Sequence, residues 1–175
     1  MAHFDNMRML FFSLVLVITG LAAAPCPAWG QTRAQEIRKF KVTELEEYIR
    51  QCDHPLIVNF WATFCTPCLK EIPYLQSTVA GYKDKEVELL LVSLDLPSYY
   101  PGRIAAFAQK TNIVAKLAWL DEKDAGYFCP QIDKKWSGGI PASLFINNRT
   151  HYREFFDRQL TDRQVEQQLK LLTAP

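Results

Sequence analysis

Leu56-Ile57-Val58-Asn59-Phe60-Trp61-Ala62-Thr63-Phe64-Cys65-Thr66-Pro67-Cys68 leads from an unbroken apolar run into a Cys-x-x-Cys pair. The run is too apolar for a half-exposed strand and suits the centre of a mixed or parallel sheet covered on both faces. The cysteines then fall where the strand gives way to a helix. A thiol at a helix N-terminus faces unpaired backbone N–H groups and the positive end of the macrodipole, and both favour thiolate. Cys65 is that thiol. Cys68, one turn further on, can reach back and close a short disulfide, so that two residues become a reversible two-electron carrier. Pro67 fits there too, because the first helical turn has no partner for the N–H that proline lacks.

The neighbouring segments alternate in type. Upstream, Thr43 and Glu46 form a capping box ahead of Leu45, Tyr48 and Ile49, and Asp53-His54-Pro55 ends that helix. Downstream, the spacing predicts a helix from Thr66 to Tyr82 with Pro73 inside it, then a second buried strand over Val87 to Leu94. Strand, helix and strand make a right-handed parallel βαβ unit. Pro101 opens a helix through Ile104, Ala105, Phe107 and Ala108, and a short apolar segment follows at Leu117 to Leu120. Ala142 to Ile146 and Tyr152 to Phe156 read as a hairpin around Asn147-Asn148-Arg149-Thr150, since Asn tolerates the positive φ of such a turn. A last helix starts at Thr161, with Gln164 completing a second capping box, and buries Val165, Leu169 and Leu172.

With 175 residues, 49% hydrophobic and 22% charged, the chain has material for one ordinary core. A net charge of +1 and the absence of like-charged blocks argue against nucleic acid as a partner. The N-terminus has a different character. Arg8 precedes an apolar run from Met9 to Ala24, and Ala28-Trp29-Gly30 has small residues at the spacing of a signal-peptidase site. The expected organisation is a signal peptide over 1–30, a linker over 31–42 and one domain over 43–175. An uncleaved membrane anchor is the alternative, and the periplasm the expected compartment.

The residues from Trp61 to Cys68, followed by Glu71 and Pro73, resemble the active-site segment of the thioredoxin superfamily, specifically the exported TlpA/ResA-like thiol-disulfide oxidoreductases. Trp136-Ser137-Gly138-Gly139-Ile140-Pro141-Ala142-Ser143-Leu144-Phe145-Ile146 looks like that family's loop, cis-proline and following strand. Phe64 departs from the pattern, standing where many relatives carry a second Trp. The resemblance implies an α/β, thioredoxin-like fold: a central mixed β-sheet flanked by helices, with a TlpA/ResA-type insertion between the βαβ half and the C-terminal ββα half. It implies a protein-disulfide reductase without a cofactor, acting as a monomer on protein or peptide thiols and disulfides and recharged by a membrane-bound thiol donor. Reduction of apocytochrome c before haem attachment is one role found in the family. Strongly oxidising relatives carry a His between the cysteines; this chain has Thr66-Pro67, so its potential is expected on the reducing side, on the order of −200 to −280 mV.

Each candidate residue has a plainer reading. The pair could be half of a zinc site, but no second Cys-x-x-Cys and no close-spaced His pair accompanies it. A copper-binding assembly module with Cys65 and Cys68 as soft ligands is the rival from another class, and a disulfide-forming oxidase the rival in direction. Glu71, three residues after Cys68, is either a solvated helix residue or, as the family's buried acid, the acceptor of the Cys68 proton. By resemblance Pro141 is cis, placing the backbone of Ile140 beside Cys65 to pair with an extended substrate. Trp61 and Trp136 either rim that surface or belong to the core. Cys52 and Cys129 read as small buried hydrophobes rather than a bridged pair.

Overall fold

The stretch from Leu56 to Trp61 is β2 of a six-stranded sheet among residues 35–175, which the computed structural model describes. Residues 1–34 lie outside the described part, and with them the expected signal peptide and the start of the linker. The other strands are β1 (Ile37–Phe40), β3 (Glu88–Ser93), β4 (Lys116–Leu120), β5 (Ala142–Asn147) and β6 (Tyr152–Phe156). Their spatial order is β1-β4-β3-β2-β5-β6. β1, β4, β3 and β2 run parallel, β5 joins antiparallel to β2, and β6 joins antiparallel to β5. The sheet is therefore mixed, as the sequence predicts.

Every position of β2, β3 and β5 is buried because helices cover both faces. Ile57, Trp61, Leu89, Leu91 and Phe145 pack under α2 (Thr66–Ala80), α3 (Gly102–Lys110) and α5 (Asp162–Leu172). Val58, Phe60, Leu90, Val92 and Leu144 pack on the other side, under α1 (Val42–Gln51) and α4 (Ala125–Ile132). Alternation along one strand thus feeds two cores.

Three expectations change at the level of single elements. The expected linker contains β1, whose Ile37 and Phe40 are buried on opposite faces while Arg38 and Lys39 stay exposed. Helix α1 starts one residue before the box predicted from Thr43. The Lys41 N–H donates to Glu44 Oε2 at 2.7 Å and the Val42 N–H to Glu122 Oε1 at 3.1 Å, so Glu44 does the work expected of Glu46. In the β5–β6 hairpin the positive φ, 57°, falls on His151 and not on an Asn. Asn148 instead spends its side-chain amide on the carbonyls of Ile49 and Cys52, both at 2.8 Å, tying the turn to the end of α1. The capping box of α5 forms as read, with Gln164 N–H on Thr161 Oγ1 and Thr161 N–H on Gln164 Oε1.

Candidate active site

β2 ends at Trp61, and the chain turns through Ala62 to Phe64 before α2 begins, so Cys65 becomes the N-cap of α2. Its Sγ accepts the backbone N–H of Cys68 at 3.3 Å, one of the donors that a helix N-terminus leaves open. Cys65 and Cys68 are joined as a disulfide with their Cα atoms 5.3 Å apart. Cys65 keeps 7% of its surface exposed and Cys68 none, so the outer sulfur is the one that a partner can reach.

Glu71 projects from the next turn of α2 and is fully buried. One oxygen accepts the Leu160 N–H at 3.3 Å, and Oε2 has no hydrogen-bond partner. Burial raises its pKa to about 7, with the Leu160 N–H and the charge of Arg158 pulling back only in part. A carboxyl that is half protonated near neutrality, three residues from the inner thiol, is suited to passing a proton to and from it.

The register of β5 on β2 sets Ala142 opposite Phe60, which carries residues 140 and 141 to the end of β2 that leads into Cys65. The Ile140–Pro141 bond is cis, Pro141 is buried and Ile140 half-buried. Trp61 and Trp136 do not rim this surface. Trp61 is 0% and Trp136 3% exposed, both in the core, because β2 lies mid-sheet and Trp136 packs against Phe60 with ring centroids 4.4 Å apart. Trp136 instead braces the loop from within by donating Nε1–H to Gly139 O at 2.8 Å. Gly138 beside it has φ +96°, a conformation that side chains rarely adopt. Phe64, which the sequence marks only as a departure, is the aromatic side chain that faces solvent here, 70% exposed.

Cys52 and Cys129 are free and buried, not bridged; burial lifts the Cys129 thiol to about 11, as suits an inert core residue. Among the described residues no group of three or more His, Cys, Asp or Glu side chains is arranged to hold a metal ion. The sequence reading missed Asp95. This acid, 3% exposed, lies just past the end of β3, and both its oxygens accept the Thr63 N–H, at 3.2 and 3.1 Å. The available signal was an acid two residues past the end of a strand with an apolar run from Leu89 to Val92, at the same end of the sheet as the cysteines.

A sequence profile described as the AhpC/TSA family matches residues 24–151. Thiol-disulfide oxidoreductase ResA of Oceanobacillus iheyensis is 55% identical over 113 residues, which cover 61% of this chain and 50% of that protein. Thioredoxin Y, chloroplastic, of Oryza sativa subsp. japonica is 30% identical over 133 residues, covering 75% of this chain and 71% of its own. The chain spans about half to three-fifths of the length of the ResA relatives it matches. Among solved structures, a thioredoxin-related protein from Neisseria meningitidis serogroup B superposes with a TM-score of 0.59 at 21% identity, over 71% of this chain and 89% of that one.

Proposed function

We propose, from the premise that the chain belongs to the AhpC/TSA family, that it is an exported thiol-disulfide oxidoreductase working as a reductase of protein disulfides. The observation that carries this reading is the Cys65–Cys68 disulfide at the N-terminus of α2 with Glu71, whose Oε2 has no hydrogen-bond partner, buried on the following turn. Resemblance to proteins named thiol-disulfide oxidoreductase supports it.

In the proposed reaction, the reduced protein attacks with the Cys65 thiolate on one sulfur of a substrate disulfide. The S–S bond breaks, the other substrate sulfur leaves and takes up a proton, and a mixed disulfide joins Cys65 to the substrate. Cys68 passes its proton to the Glu71 carboxylate and attacks Cys65 Sγ, releasing the second substrate thiolate, which takes up a proton in turn. Two electrons have moved to the substrate, and the closed Cys65–Cys68 bond remains. A thiol donor must open it again, and a membrane-bound donor is part of the proposal. Ile140, ahead of the buried Pro141, offers its backbone to an extended substrate segment. Export rests on the apolar run from Met9 to Ala24 and the small residues at Ala28-Trp29-Gly30; among the described residues no helix is long and apolar enough to cross a membrane.

Insulin reduction with a chemical thiol donor tests the assignment. Cys65→Ser is expected to abolish turnover, and Cys68→Ser to accumulate a mixed disulfide whose substrate mass maps to Cys65. Adducts on Cys68 in wild type, or turnover that survives in Cys65→Ser, would overturn it.

A further inference from the structure

Asp95 is a buried acid that the sulfur chemistry above leaves without a task. Besides the two contacts with the Thr63 N–H, its Oδ1 accepts Thr63 Oγ1–H and its Oδ2 accepts Ser93 Oγ–H, each at 2.7 Å. Its main chain is fixed as well. The Asp95 N–H donates to Ser93 Oγ at 3.1 Å, and its carbonyl accepts Nε1–H of Trp119 at 2.8 Å. An acid met only by donors has the hydrogen-bond pattern of an ionised carboxylate. Among the described residues it belongs to no ion pair, since the Lys, Arg and His side chains that pair do so with other acids.

The bonds go to one place of consequence. Thr63 precedes Cys65 by two residues, a Cα path of at most about 7.6 Å. The Cys65 N–H closes on Ala62 O at 3.0 Å, so Thr63 lies inside the turn that delivers the sulfur to the helix terminus. A buried carboxylate is stable there only while its hydrogen bonds are kept, which makes the grip on Thr63 mutual.

We propose that Asp95 is a positioning residue for the thiol pair: it clamps the turn carrying Cys65, and its fixed negative charge makes the Cys65 thiol harder to ionise. The helix terminus favours the thiolate and Asp95 opposes it, so the acidity of Cys65 is set by the balance of the two. For two unit charges on the order of 10 Å apart near a protein surface, such repulsion amounts to roughly 0.3 to 1 pH unit in a titration, which sets the scale expected for the thiol. Other titratable or charged groups on the elements packed here are Cys68, Lys70 and Glu71 in α2, Tyr100, stacked on Trp119, and Arg158, whose charge acts on Glu71. Two further cations are stacked on aromatic rings, Arg103 over Tyr99 and Lys39 over Trp119, and Lys39 is ion-paired with Asp121.

The inference rests on Cys65 being the attacking thiol, and the test separates the two. In the reduced protein, the alkylation rate of Cys65 by iodoacetamide is followed against pH, with the modified sulfur identified by mass spectrometry. Asp95→Asn nearly preserves shape and removes the charge; its midpoint is expected to fall by about 0.3 to 1 unit, roughly two- to tenfold more thiolate on the acid side of the midpoint. The disulfide should become easier to reduce against a glutathione buffer by a similar factor. Ser93→Ala loses both hydrogen bonds between the Ser93 hydroxyl and Asp95 but keeps the charge, and its midpoint should not fall. An unchanged or raised midpoint in Asp95→Asn overturns the proposal. Should that variant not fold, the carboxyl ¹³C shift of Asp95 in the reduced wild type serves instead. Coupling between two sites is reciprocal, so the shift should inflect at the pH where Cys65 titrates, and a flat trace overturns the proposal. A wild type whose Cys65 is alkylated no faster than Cys68 counts against the oxidoreductase mechanism and leaves the comparison of variants readable.

Discussion

Glu71 and Glu88 are both taken out of water, 0% and 7% exposed, and their carboxyls move in opposite directions. Both are pushed up by burial. Glu71 has one backbone donor and ends near 7. Glu88, at the far end of the sheet where β3 starts, is met by Lys116, by the Tyr48 hydroxyl and by His54 Nε2 at 3.1 Å, and these outweigh burial and hold it below its usual range. The same groups act on each other. Partial burial pulls His54 down, but its contacts with Asp53 and Glu88 prevail and its pKa is raised. What separates the two glutamates is how many donors the fold supplies. A satisfied acid is a fastener; one with an unpartnered oxygen keeps the raised pKa that burial gives it.

The largest effect expected from this contrast is on stability against pH. The pKa of Glu71 is raised from 4.5 to about 7 on folding, so its contribution is fully present below about pH 4.5 and is lost as pH rises through 7. That loss is on the order of 3 kcal/mol. Urea denaturation of the oxidised protein at several pH values should show wild type falling across that window relative to Glu71→Gln. Parallel curves for the two proteins would break the contrast. In the reduced protein the same variant should slow release of the mixed disulfide without slowing its formation.

Glu88 has the opposite sign. Its lowered pKa gives stability that is present above 4.5 and lost as pH falls through the folded value. Glu88→Ala should cost about 2 kcal/mol at neutral pH, since Lys116 and His54 can turn partly to water, and should flatten the acid limb of the stability curve. The alkylation midpoint of Cys65 should not change. Sharper still is Tyr48→Phe, which removes one of the three donors and should cost about 1 kcal/mol by the same measurement, again with no effect on the sulfurs. A change in thiol chemistry from either variant would mean that the two ends of the sheet are not independent.

The frame of the fold was legible because burial on both faces leaves a plain signature: Leu56 to Trp61, Glu88 to Ser93 and Ala142 to Asn147 carry apolar runs that resemble nothing else. β1 was not, since only Ile37 and Phe40 of its four residues enter a core, and two apolar residues among polar ones have no period. At the site, the sulfurs and Glu71 could be found from spacing and resemblance. The exposure of the aromatics could not. Whether Trp61, Trp136 or Phe64 meets solvent depends on which strand is central and what packs beneath a loop, and neither is written in the local pattern. Asp95 escaped for the same reason: its meaning lies in Thr63, 32 residues away in sequence.

The pairing of β1 bears on the order in which the molecule can be assembled. Among the described residues its one neighbour in the sheet is β4, and Ile37 lies opposite Leu117, 80 residues later. A chain leaving a ribosome or a translocation pore from its N-terminus would present β1 long before there was anything for it to bind. β2, α2 and β3, contiguous in sequence, can close on one another first at a smaller loop-closure cost. The redox turn would then take shape within an early kernel, and the edge strand nearest the N-terminus would be among the last pieces to dock.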